Sequence, residues 1–188
     1  MTEPDSTVWL ARHGQTEWSR SGRHTGATDL PLLPEGETAA RTLADRLADQ
    51  HFDLVVTSPL ARARRTAELA GFPDAEVEPD LVEWDYGAYE GLTTNQIRER
   101  QPGWTVWSHG VPDGESADDV ARRVDRVIAK ARAAGATLVF GHGHALRVLT
   151  ARWLGQPPTD GRLYRLDTAR LSTLGYERET PVILRWNA

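Results

Sequence analysis

Two histidines in this chain follow short apolar runs, each beside glycine. Val8-Trp9-Leu10-Ala11 ends at Arg12-His13-Gly14, and Thr137-Leu138-Val139-Phe140 ends at Gly141-His142-Gly143-His144. A neutral imidazole nitrogen can attack an electrophile and hold it covalently, provided the other nitrogen donates to a fixed acceptor such as a backbone carbonyl. An arginine next to the first histidine adds a planar, permanently charged fork that matches two oxygens of an anion. A third candidate lies after Asp53-Leu54-Val55-Val56-Thr57, where Ser58-Pro59 precedes Arg62. Two histidines and two arginines suit a phosphoryl group, whose transfer depends mainly on positioning and on neutralising its oxygens.

Transfer to water also needs a proton donor for the departing oxygen. Glu83, in a loop beside Trp84, is the leading candidate, because partial burial there favours a carboxyl group that carries a proton. Asp85 and Glu90 are competitors that spacing does not separate from it.

These residues need a scaffold that brings them to one edge. Thr7–Ala11, Asp53–Thr57 and Thr137–Phe140 read as buried strands, with a weaker strand at Glu76–Pro79. Between them lie helical patterns over Glu37–Gln50, from a Ser58 cap with Pro59 at the first position to Ala70, from a Ser116 cap with Val120, Val124, Val127, Ile128 and Ala131 on its inward face, and from His144 to Leu154. Alternating strands and helices predict an α/β fold with a mostly parallel sheet, whose ligands gather at the carboxyl ends of the strands. Gly14 would let the chain turn there, and the amino end of the Pro59 helix would offer free N–H groups to an anion.

The breaker-rich loop through Gly22, Gly26, Pro31 and Pro34 is long enough to wrap a site. Leu92–Gly114, with a short helix at Thr93–Gln101, reads as a small cap in which Trp104 and Trp107 pack. Gly161–Asn187 alternates like strands, and Pro181 confines one of these to an edge or a start. His24, His51 and His109 read as surface residues, with His109 also able to reach inward from the cap. Arg64 and Arg65 read as surface residues too.

The 188 residues favour one domain, 1–188, with the cap at about 92–114. A net charge of −5 gives no general basic field, so nucleic acid is not an expected partner and any positive site must be local. The absence of cysteine removes disulfides, thiol nucleophiles and zinc–thiolate sites. Met1–Ser6 is polar and acidic, and no apolar run approaches spanning length, so a cytoplasmic protein without a membrane partner is expected. His142-X-His144 invites a metal reading, but no suitably spaced carboxylate follows, so no metal is expected.

Taken in order, Arg12-His13-Gly14, the Ser58-Pro59-Leu60-Ala61-Arg62-Ala63 run with Thr66, Glu83 with Tyr86-Gly87 and Glu90-Gly91, and Gly141-His142-Gly143 resemble the histidine phosphatase superfamily, also called phosphoglycerate-mutase-like. The resemblance runs from about Val8 to Leu154. It implies a three-layer α/β/α sandwich, a phosphohistidine intermediate and no cofactor. His13 would be the nucleophile, while Arg12, Arg62 and a protonated His142 would hold the phosphoryl oxygens. Glu83 would act as acid and then as base.

Ser19, Thr25, Gly26 and Tyr86 fall on the family's substrate side, and Gly143 and His144 adjoin them. The local motifs are most similar to compact acid phosphatases and to sedoheptulose-bisphosphatase-like members. Ser19 stands where mutases usually carry asparagine, and the extra length that mutases use is missing. Both features favour hydrolysis of a small phosphorylated metabolite over a mutase reaction, and the complete set of candidate residues favours it over a non-catalytic binding module. An acidic optimum is expected. Oligomeric state is open, a homodimer being one option.

Overall fold

Successive apolar side chains along the central strands face opposite ways, and each set has its own helices to bury it. In the computed structural model, which describes residues 6–188, strand β1 (Thr7–Arg12) leads through helix α1 (Glu17–Ser21) to helix α2 (Pro34–Leu47). Strand β2 (Leu54–Thr57), helix α3 (Ala61–Leu69) and strand β3 (Glu76–Val77) follow. Two short helices, α4 (Thr94–Arg100) and α5 (Val106–His109), precede the long α6 (Ala117–Ala134). Strand β4 (Ala136–Gly141), helix α7 (Gly143–Trp153) and the hairpin β5 (Leu171–Glu177) and β6 (Thr180–Arg185) complete the chain.

The sheet order is β3-β2-β4-β1-β5-β6. β5 alone runs against the rest, antiparallel to both β1 and β6. Val8, Leu10 and Val139 pack with Val124, Ile128, Leu146 and Trp153 of α6 and α7. Ala11, Leu138 and Phe140 pack with Leu43 and Leu47 of α2 and Ala67 of α3. The alternation is the two-residue period of a pleated strand covered on both faces. The sheet is thus the mostly parallel centre of a three-layer α/β/α sandwich. Pro181 lies on β6 at one edge of the sheet, where a missing N–H costs no ladder bond.

Two local expectations are corrected. The helix expected from Pro59 begins at Ala61, capped by the backbone of Leu60 and not by Ser58. Its first N–H is not open to an anion, because Ala61 N donates to the Asp29 carboxylate at 3.0 Å. The loop after Gly14 is also less irregular than expected. Thr16 and Ser19 form a reciprocal capping box that starts α1, and Gly22 ends it at a left-handed φ of 73°. Among the described residues no helix is long and apolar enough to cross a membrane.

Candidate active site

The parallel pairing of β1 with β4 sets the site. Arg12 lies opposite Gly141, and His13 N donates to Gly141 O at 3.0 Å, so the chain delivers His13 and His142 side by side. Their ring centroids are 5.2 Å apart. His13 Nδ1 lies 2.7 Å from Gly14 O. A carbonyl only accepts, so Nδ1 carries the proton and Nε2 keeps its lone pair. Burial, then Arg12 and Arg62, hold His13 well below the usual histidine range, which keeps it neutral.

Gly14 has a packing role rather than the expected role at the ligand. A Cβ there would stand 2.4 Å from Gly36 O, where the loop crosses α2. Gly14 N donates to Thr66 Oγ1 at 3.0 Å, which gives the threonine of the third motif its place.

His142 departs from the protonated state expected of it. Its Nδ1 accepts from Arg62 Nε at 3.2 Å, leaving Nε2–H to donate to Ser58 Oγ at 2.7 Å. Burial, reinforced by Arg62, pushes its pKa well below the ordinary value, so the ring is neutral. Arg62 is 0% exposed, and its remaining donors hold the carbonyls of Thr25, Gly26 and Thr28. It fixes the 25–28 loop and does not line the cavity, and neither does His142. Gly26 is also absent from the wall. Its N–H donates to Glu90 and its carbonyl accepts from Arg62.

The cavity in front of His13 has a volume of about 170 Å³. Three guanidinium groups reach it, from Arg12, Arg23 and Arg147, against the single carboxylate of Glu83. Within a chain of net charge −5 it is therefore a local cationic site. Arg12 donates from Nη1 to Leu166 O, but its buried Nε has no partner among the described residues. A Cβ on Gly143 would lie 3.2–3.5 Å from that guanidinium, so glycine there gives Arg12 its room. Ser19 and Thr25 line the wall, although the Ser19 hydroxyl is already engaged with Thr16 O.

The three acidic candidates separate cleanly. Glu83, 7% exposed, sits on the amino end of α7, with Oε1 accepting from Trp84 N and Ala145 N and Oε2 accepting from His144 N. Glu90 supports the loop, taking the N–H groups of Gly26 and Thr28. Asp85 is exposed, caps Gly87 N and does not reach the cavity.

An aromatic wall lines the same cavity. The buried Tyr86 phenol keeps its proton, its pKa raised well above 10 by burial and Glu83, and donates to His144 Nδ1 at 2.5 Å. His144, held well below the usual range by burial and Arg147, is neutral. The rings of His142 and His144 thus engage different partners and do not form a ligand pair. Trp107 packs 5.1 Å from His144, and Trp104 5.2 Å from His24, so both tryptophans belong to the packing of segment 92–114.

His24 is not the surface residue expected. It lines the cavity, lies 4.8 Å from the Tyr86 ring and bonds the Thr94 hydroxyl of α4, and burial lowers its pKa to about 4. His51 is exposed, as is His109, which bonds Ser108 and does not reach inward. The sequence reading also assigned no role to Arg147 or Arg23. Arg147 had a usable signal, since it lies three residues beyond His144 on the same face of α7. Arg23 had none.

Comparisons with known proteins place the chain in a family. The model of the histidine phosphatase superfamily (branch 1) matches residues 8–188. An acid phosphatase of Mycobacterium tuberculosis is 43% identical over 173 residues, covering 89% of this chain and 85% of the relative. The sedoheptulose 1,7-bisphosphatase of Saccharomyces cerevisiae is 36% identical over 180 residues, covering 78% and 66%. A solved structure of an open reading frame product from Mycobacterium tuberculosis superposes with a TM-score of 0.92 at 39% identity, covering 97% of each chain.

Proposed function

The chain belongs to the histidine phosphatase superfamily, branch 1, and from that premise we propose that it is a phosphomonoesterase acting on small phosphorylated metabolites through a phosphohistidine. One observation carries the reading. A neutral His13, its tautomer fixed by Gly14 O, shares a cationic cavity with an unpartnered Arg12 Nε and with Glu83.

In the first step His13 Nε2 attacks phosphorus, forming the N–P bond as the P–O bond to the alcohol breaks. Arg12 binds the transferring oxygens directly. Arg62 and His142 act from behind the wall, Arg62 by its charge and both by fixing the surrounding loop. Glu83 Oε2 accepts a single backbone bond, so it retains a lone pair for the proton that passes to the departing oxygen. In the second step Glu83 takes a proton from water, which attacks phosphorus and returns His13 to its neutral state. Preorganised cations around the phosphoryl group carry the charge without reorganisation.

Tyr86, His144, Thr25 and Ser19 form the wall met by the leaving group. The acid phosphatase and sugar bisphosphatase relatives support a small, polar phosphate ester as substrate. The test is His13→Ala against a panel of phosphorylated sugars, acids and nucleotides. Phosphate release should fall to background, and the acid-labile phosphoenzyme trapped in the wild type should vanish. Turnover by the pure variant at wild-type rate would overturn the covalent reading.

A further inference from the structure

Five of the hydrogen bonds that hold the backbone and side chains of residues 80–85 come from one largely buried residue pair outside the cavity, Arg123 and Glu115. Arg123, on α6 and 7% exposed, donates from Nη1 to Asp80 O at 2.8 Å and to Val82 O at 2.6 Å. Its Nε and Nη2 make a bidentate pair with Glu115 at 2.8 and 3.0 Å. Glu115 in turn accepts Asp85 N on Oε2 at 3.0 Å and the Trp84 indole N–H on its carbonyl at 2.8 Å. The segment is therefore gripped at Asp80, Val82, Trp84 and Asp85, on both sides of Glu83.

We propose that the Arg123–Glu115 pair is a positioning clasp that sets where the Glu83 carboxyl group stands, resting on the reading of Glu83 as the acid. Neither residue lines the cavity of His13, so neither touches substrate. Val82, Glu83, Asp85 and Glu115 border a second, largely apolar cleft of about 340 Å³ with Leu60 and Ala27, so the segment faces a cleft on that side. The α7 amino end locates the carboxyl oxygens, and the clasp locates the backbone that bears them. Arginine suits the task because its rigid fork meets two carbonyls and a carboxylate at once, which a lysine point charge does not. A buried ion pair adds little net stability, whereas it fixes geometry well.

The experiment measures kcat/KM, which spans the steps through release of the alcohol, for two esters. An alkyl ester, glycerol phosphate, needs the acid to release a poor leaving group. An activated aryl ester, p-nitrophenyl phosphate, does not. Three variants are compared with the wild type: Glu83→Gln, Arg123→Lys and Glu115→Gln. Loss of a general acid costs about 100-fold or more on the alkyl ester, and misplacing it costs about tenfold or more. Arg123→Lys should therefore lose about tenfold on the alkyl ester and under about threefold on the aryl ester. Glu115→Gln should follow the same split, and it carries the test if Arg123→Lys does not fold. Equal losses on both esters in the clasp variants, with the split intact in Glu83→Gln, would overturn the clasp. Equal losses in Glu83→Gln itself would overturn the acid assignment instead.

Discussion

Replacing His24 by phenylalanine should flatten part of the protein's response to acid. His24 is a half-buried neutral ring between Tyr86 and Trp104, and burial lowers its pKa from 6.5 to about 4. The unfolded chain therefore binds a proton here that the folded chain refuses. The stability due to the neutral ring is fully present above pH 6.5 and is lost as pH falls through the window from 6.5 to about 4. At about 1.4 kcal/mol per pKa unit, the full loss is about 3 kcal/mol, of which about 2 kcal/mol is reached by pH 5. Phenylalanine keeps the ring contacts, drops the bond to Thr94 and does not titrate.

Urea unfolding of both proteins at pH 7.5, 6 and 5 supplies the comparison. At pH 7.5 the variant should be less stable by about 1 kcal/mol, the worth of a lost hydrogen bond. At pH 5 the difference should have moved by about 2 kcal/mol in the variant's favour. His13, His142 and His144 are depressed in the same direction, so both proteins lose stability in acid and only the gap between them reports on His24. A gap that stays constant within about 0.5 kcal/mol across the range refutes the reasoning.

The same depressed histidines govern activity. Corrected for ionisation of the substrate phosphate, kcat/KM should hold its plateau as pH falls through 6.5 if His13 is the proposed nucleophile, because its ring remains unprotonated well below that value. An acid limb centred in the ordinary histidine range would show that His13 is not shielded as described. Gly14→Ala should cost about 1–3 kcal/mol in urea unfolding, since its Cβ would stand 2.4 Å from Gly36 O and both backbones must yield. A variant indistinguishable from wild type would mean that the crossing of this loop over α2 is looser than described.

The sheet and the strand ends were legible because apolar runs that stop at glycine mark themselves, and parallel polarity then gathers those ends at one edge. Glu83, Thr66 and Tyr86 followed from the order of the motifs. The protonation of His142 was not legible, since it depends on a fully buried Arg62 that points its Nε at the ring. Nor was the direction of Arg62, whose first-turn position suggests an anion contact while its donors hold a loop. His24 lay in a segment without periodicity, so nothing local distinguished it from a solvent-facing residue. The start of α3 was misplaced because Ser58-Pro59 is a common opening for a helix. The serine hydroxyl is drawn instead to His142, and Asp29, distant in sequence, takes the helix N–H.

The place of β1 in the sheet bears on how the molecule comes into being. It is the earliest strand described, yet its two neighbours are β4 and β5, both in the last third of the chain. As the polypeptide leaves the ribosome, Val8 and Leu10 have no partner strand until residues beyond 136 have emerged. Such distant pairing slows folding and leaves an apolar strand exposed to wrong partners in the meantime. His13, at the end of that strand, is thus made well before the strands that seat it. A nascent chain interrupted before β4 leaves His13 without the strand that encloses it.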